Sequence, residues 1–214
     1  MDIAILLFDD FTALDAVGPY EVLSRLPGAV VTFVGKEARP VRTDTQRLAL
    51  TADAAIAEVE SADILLVPGG PGQMALMDDE AVLDWVRRID ATSTWTTSVC
   101  TGSLVLAAAG LLQGKRATTH WLALEQLREF GAEPTSERVV FDGKVVTAAG
   151  VSAGIDMALT LAARIGGDDL AKAIQLGIEY DPQPPFDAGS PQKAPEPIVE
   201  LLRSMSRFYT RSTA

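Results

Sequence analysis

The stretch that decides the fold is Thr94-Trp95-Thr96-Thr97-Ser98-Val99-Cys100-Thr101-Gly102-Ser103. The residues before Cys100 are largely β-branched or aromatic and read as a strand. Those that follow, Leu104-Val105-Leu106-Ala107-Ala108-Ala109, read as a buried helix ended by Gly110. A strand that turns into a helix at one residue sets that side chain on a sharp corner. Close packing there demands small residues two positions away on each side, and Ser98 and Gly102 supply them. This is the pattern of a nucleophile elbow, with cysteine in the nucleophile's place. The free amides and dipole of a helix N-terminus also favour a thiolate. A lone cysteine out of context is ordinarily a buried packing residue. The elbow around Cys100 selects the reactive reading instead.

Working outward, strands and helices alternate. Residues 2–8 read as a first strand, 9–15 as a loop and 16–26 as a helix broken by Pro27-Gly28. Residues 29–35 read as the second strand. The pattern weakens over 36–61, where short extended pieces are expected near 40–42 and 48–51 and a short helix near 54–60. Asp63-Ile64-Leu65-Leu66-Val67 suits a central parallel strand buried on both faces, and it runs into the tight loop Pro68-Gly69-Gly70-Pro71-Gly72. Val82, Leu83, Val86 and Ile89 mark an amphipathic helix over 78–91. Beyond the elbow, 117–120 reads as a short strand and 121–130 as a helix. Asp142-Gly143 lies between two β-branched runs and signals a hairpin. Helices are expected at 151–164, 168–177 and 195–209, with the proline-rich 181–186 extended.

This order predicts an α/β fold with a mostly parallel sheet flanked by helices on both faces. Residues 1–214 read as a single domain, with a C-terminal extension at about 180–214 packing on it. Such sheets place their sites outside the carboxyl ends of the strands. Asp15, Gly69-Gly70 and Cys100 each follow a predicted strand, so connection rules bring all three to one edge.

Composition narrows the function classes. A net charge of −11 argues against nucleic acid and against anionic membrane surfaces as partners, since both need a basic face. No apolar run approaches the ~20 residues of a membrane span. The first residues, with Asp2 where a signal peptide carries Lys or Arg, read as a strand. One cysteine excludes an internal disulfide framework and fits a reducing, cytoplasmic setting. One His and one Cys make a zinc site unexpected, and the absence of GxxxxGK[ST] argues against nucleotide binding.

The candidate chemistry centres on Cys100 as nucleophile. Backbone amides at Gly70, at Gly69 and at the start of the helix after Cys100 are candidate donors to a developing negative charge or to substrate. Gly69-Gly70 also reads as a plain turn. Two readings of Asp15 stay open. It is a helix cap, or its carboxyl approaches the thiol, where burial and negative charge raise its pKa and fit it to move protons. His120, the only histidine, reads as a pocket neighbour or a satisfied polar residue more than as a base.

The Asp15-to-Leu23 segment, Val67-Pro68-Gly69-Gly70 and Ser98-Val99-Cys100-Thr101-Gly102-Ser103 together resemble the ThiJ/PfpI superfamily over nearly the whole chain. Within it the chain is most similar to the bacterial isocyanide hydratases. That likeness rests on Leu14-Asp15 with Gly18-Pro19, Ser98 through Leu106, Gly110 through Trp121, and Gly154-Ile155-Asp156. It rests also on Glu179-Tyr180, Pro184-Pro185-Phe186 and Ala188-Gly189-Ser190-Pro191. The resemblance implies a flavodoxin-like, class I glutamine amidotransferase-like fold, a homodimer, no cofactor, and an acid partner for the cysteine at Asp15. Protease-like members have His directly after the cysteine, and Thr101 departs from that pattern. Regulators that fuse this domain to a DNA-binding module are not expected here, since 23 residues follow Pro191.

The implied activity is hydration of an organic isocyanide to an N-substituted formamide through a thioimidate on Cys100. Asp15 would move protons, Thr101 and nearby amides would position the reacting groups, and Gly70 is a weaker candidate for that task. Two alternatives remain: glyoxalase III-type hydration of small dicarbonyls on the same thiol, and a non-catalytic redox-sensing cysteine.

Overall fold

The structure is a computed structural model and describes residues 1–206. The chain begins with β1 (Asp2–Leu6), α1 (Ala13–Leu23) and β2 (Val30–Gly35). An antiparallel pair, β3 (Pro40–Arg42) and β4 (Ala49–Thr51), precedes β5 (Ala54–Ala55) and β6 (Ile64–Val67). Then come α2 (Gln73–Met77), α3 (Glu80–Thr92), β7 (Trp95–Val99) and α4 (Gly102–Ala108). After β8 (Arg116–Ala117), a 3-10 helix (Trp121–Phe130) and β9 (Glu133–Pro134), the hairpin β10 (Val139–Asp142) and β11 (Val145–Ala148) leads into α5 (Ala153–Gly166). The described chain closes with α6 (Asp168–Gly177) and α7 (Glu196–Ser204).

All four residues of β6 are buried, because the strand has apolar side chains on both faces and a neighbour on each edge. It lies at the middle of a seven-stranded sheet ordered β10-β11-β7-β6-β1-β2-β5. Every pairing in that sheet is parallel except the β10–β11 hairpin. The chain leaves β1 toward β2 and returns to β6 on the other side of β1. That reversal opens a crevice between the two connections. The loops after β1, β6, β7 and β11 therefore meet at one sheet edge.

Several expected elements shift for local reasons. The α1 helix starts at Ala13 with Thr12 as its cap residue, so Asp15 falls in the first turn and is not the cap. The short helix expected near 54–60 is absent; Ala54 and Ala55 pair with Val34 and Gly35 as an edge strand. Asp53 Oδ2 accepts from the Phe33 amide at 3.0 Å and Glu58 Oε2 from the Ala55 amide at 2.8 Å. The Asp53 and Ile56 amides bond to the Phe33 and Gly35 carbonyls at 2.7 and 2.8 Å, which ties the segment to β2 instead of to a turn of its own. The strand expected at 117–120 shortens to Arg116–Ala117, because the Thr118 amide bonds to Thr147 Oγ1 at 2.9 Å. Residues 181–186 have no regular structure, and α2 has no counterpart in the sequence reading. The last expected helix ends at Ser204, and its residues 207–209 lie outside the described part of the chain. Among the described residues no helix is long and apolar enough to cross a membrane.

The elbow itself depends on Gly102. A Cβ there would stand against the Val67 carbonyl oxygen and within 2.7 Å of the Pro68 oxygen, both backbone atoms that cannot turn aside. In an ordinary helix, Gly→Ala gains up to about 1 kcal/mol. Here the overlap costs about 1–3 kcal/mol or more and outweighs it. Gly102→Ala is expected to lower the urea midpoint; a raised midpoint would contradict the packing described.

Candidate active site

Cys100 stands at the corner between β7 and α4 with φ of 56°, a left-handed conformation that non-glycine residues rarely adopt. The surroundings hold it there. Its amide is shared between the Ala148 and Ala149 carbonyls at 3.1 and 3.0 Å. Its own carbonyl accepts from Thr119 Oγ1 at 2.8 Å and Ser103 Oγ at 3.3 Å. Strain of this kind persists only when its surroundings over-determine it. The side chain is 1% exposed.

Asp15 reaches the elbow from α1. It is completely buried, and its Oδ2 accepts from the Gly69 amide at 2.9 Å. Its Oδ1 receives no bond from any N–H or O–H group among the described residues. Asp15 is thus not the helix cap, and its carboxyl meets the Cys100 thiol. Burial raises the Asp15 pKa to about 7; the bonds from Gly69 and Cys100 oppose the rise, and the Asp44 charge adds to it slightly.

The thiol is pushed well above its ordinary range, first by burial and then by the Asp15 charge. Bonds to the sulfur from the Thr101 and Val151 amides and from the Thr101 hydroxyl favour the thiolate but do not outweigh those two. A thiolate stabilised by the helix terminus is therefore not the resting form. The α4 helix is only seven residues long, and a buried sulfur beside a carboxylate loses more solvation than the helix restores. Burial and mutual repulsion keep the pair from carrying two negative charges near neutral pH.

The glycine loop acts indirectly. The Gly70 amide bonds to Thr101 Oγ1 at 3.0 Å, and the Gly69 amide is taken by Asp15. Neither is left to bind an oxyanion, the task that the sequence suggested for them. They orient the two side chains that touch the sulfur. The amide of Val151 supplies a donor that sequence reasoning missed. Its clue was the position of β11 beside β7, which brings residue 151 level with the elbow.

His120 lies across the 148–151 loop. Its Nδ1 accepts from the Leu122 amide at 3.3 Å and caps the 3-10 helix. Its ring edge packs on Gly150, where an added Cβ would meet His120 Cδ2 at 2.7 Å. Burial lowers its pKa to about 4, so it is neutral at pH 7. It lines a cleft of about 390 Å³ with Trp121, Leu124, Gly150, Val151 and residues 189–192. Among the described residues no group of three or more His, Cys, Asp and Glu could hold a metal ion.

The sequence and the fold resemble those of known proteins. Residues 1–164 match the DJ-1/PfpI family. The chain belongs to that family. It is 48% identical over 203 residues to the isonitrile hydratase of Pseudomonas putida, covering 95% of this chain and 89% of that one. A crystal structure of a ThiJ/PfpI family protein from Pseudomonas syringae superposes with a TM-score of 0.93 at 39% identity, covering 95% of this chain and 85% of that one. The chain is 31% identical to the transcriptional regulator CdhR of Pseudomonas aeruginosa over 84% of its own length, and that match spans 54% of the regulator. Both the α/β fold and the ThiJ/PfpI resemblance read from the sequence are thereby borne out.

The buried carboxyl has a consequence for stability. Asp15 has a pKa of about 7 in the folded chain and an ordinary value of 3.8 when unfolded. Between those values the folded state binds more protons than the unfolded one, so this residue makes stability fall as pH rises from about 4 to 7. Below 3.8 the carboxyl is protonated in both states and contributes no slope. Comparing urea unfolding of wild type and Asp15→Asn from pH 4 to 8 isolates the effect. Wild type is expected to lose stability relative to the variant across that window, and parallel curves would refute the assignment.

Proposed function

We propose that the protein is a cysteine-dependent isocyanide hydratase, converting an organic isocyanide and water to an N-substituted formamide. The observation that carries this reading is one buried sulfur met by the Asp15 carboxyl, the Thr101 hydroxyl and two backbone amides. The high identity to an isonitrile hydratase along nearly the whole chain supports it.

The reaction follows from the pair's electrostatics. The terminal isocyanide carbon is electrophilic. As the sulfur forms a bond to that carbon, the Asp15 carboxylate takes the thiol proton and then gives it to the same carbon. The result is a thioimidate, R–N=CH–S, on Cys100. Water then adds to the imidoyl carbon; Asp15 accepts one of its protons and passes it to the nitrogen, leaving a hydroxyl on the carbon. Collapse forms the C=O bond, breaks the C–S bond and returns the remaining proton to the pair. The sum is one isocyanide plus one water giving one formamide. A carboxyl with a pKa of about 7 suits this alternation, because giving and taking a proton are then nearly balanced at neutral pH. The Thr101 and Val151 amides and the Thr101 hydroxyl stabilise the sulfur when it attacks and when it leaves. The reading includes the homodimer that the resemblance implies and the reducing, cytoplasmic setting that a single cysteine fits.

The test is formamide production from p-nitrophenyl isocyanide. Wild type is expected to turn it over and Cys100→Ala to be inactive. Asp15→Asn is expected to lower kcat by about 10²–10⁴-fold, the usual contribution of a positioned acid–base group. Undiminished turnover in Cys100→Ala would exclude the covalent route.

A further inference from the structure

The cleft beside the elbow has two walls of different origin. The inner wall comes from the family core. Val151, whose amide bonds to the Cys100 sulfur, lines it together with Gly150, His120, Trp121 and Leu124. The outer wall is residues 189–192, a segment with no regular secondary structure that lies beyond the family match at 1–164. This strap is fastened on both sides. Before it, the Tyr180 hydroxyl bonds to Asp156 Oδ1 at 3.2 Å, and Asp156 is in turn held by Arg138. After it, Val199 of α7 is buried, and the Arg203 guanidinium lies 5.9 Å from the centroid of the Trp121 ring. A turn in which the Lys193 and Ala194 amides bond to the Ser190 carbonyl at 3.0 and 2.9 Å fixes the strap's own shape.

We propose that residues 189–192 are the specificity-determining wall of a substrate cleft beside Cys100 and set the size of the uncharged N-substituent it accepts. The inference rests on the hydratase reading for its substrate, though the wall itself does not. About 390 Å³ is within the range of pockets that hold drug-sized ligands and far exceeds what a bare isocyano group fills. The chemistry of the lining selects an uncharged group. Trp121 and Leu124 are apolar, His120 is neutral, and the nearby charges are matched internally, Arg138 with Asp156 and Glu137 with Arg116 at 2.5 Å each. A carboxylate or ammonium on the substituent would find no unmatched counter-charge among these residues.

Ser190→Trp narrows the cleft from the strap without touching the groups on the sulfur. It is expected to lower kcat/KM for p-nitrophenyl isocyanide by about 10-fold or more while leaving methyl isocyanide within about twofold, a discrimination of the size steric pocket changes produce. Gln192→Trp, at an exposed position of the same strap, is read in the same way should the first variant fold poorly. An equal fall for both substrates in both variants, or no change for either, would overturn the proposal. Alkylation of Cys100 separates this from failure of the hydratase reading. If wild type turns over neither isocyanide, that reading fails, yet the wall still predicts slower reaction of 2-iodo-N-phenylacetamide relative to iodoacetamide in Ser190→Trp. An unchanged ratio of alkylation rates would rule the wall out.

Discussion

At residue 69 the loop after β6 comes so close to the elbow that no side chain fits. An added Cβ would stand 2.5 Å from the Thr101 amide nitrogen and 2.9 Å from Cys100 Cβ. That proximity lets one residue serve several groups. The Gly69 amide holds the Asp15 carboxylate, while its carbonyl takes the Thr12 amide at 2.8 Å. Thr12 is the residue at which α1 starts, so the same contact sets where that helix begins and where its first turn delivers Asp15. One residue on, the Gly70 amide fixes the Thr101 hydroxyl. Every side chain that meets the sulfur is thus oriented through this loop.

The cost of the arrangement is electrostatic. A carboxyl and a thiol share a water-excluded corner, and burial opposes charge on either. A thiolate prepared in advance would suit a general-purpose nucleophile. A thiol beside a carboxylate that shares its proton suits a reaction needing a proton delivered to carbon and later withdrawn from water. The strained backbone at Cys100 belongs to the same design, since it turns the sulfur toward the Thr101 and Val151 amides. The hydrogen bonds that keep it strained come from three places in the chain, Ser103, Thr119 and the neighbouring Ala148 and Ala149.

The molecule also divides chemistry from shape. Residues that touch the sulfur lie within the span shared across the family, on loops whose ends the parallel sheet positions rigidly. The outer face of the cleft is built by the tail, which is anchored by a few side chains and lies outside that span. An irregular segment can change in length or size without disturbing the sheet, whereas a change at the loop of residue 69 would move the cysteine's partners together.

By itself the sequence determined the alternation of strands and helices, the buried middle strand, the hairpin at Asp142-Gly143 and the elbow at Cys100. Each is written in local periodicity or in the small residues a sharp turn requires. It also marked Asp15, Gly69 and Gly70 as neighbours of the cysteine, because strand order alone carries their loops to one edge. Tertiary structure decided the rest. It placed Asp15 inside α1 with its carboxyl on the thiol, assigned the two glycine amides to side chains, and brought in Val151 and Thr119 from loops distant in the chain. It also set burial and the Asp15 charge against the thiolate that the helix terminus favours. Hydrogen-bond partners and desolvation depend on which groups meet in space and on how completely water is removed from them. Neither quantity is local in the chain, so no window of sequence around Cys100 contains it.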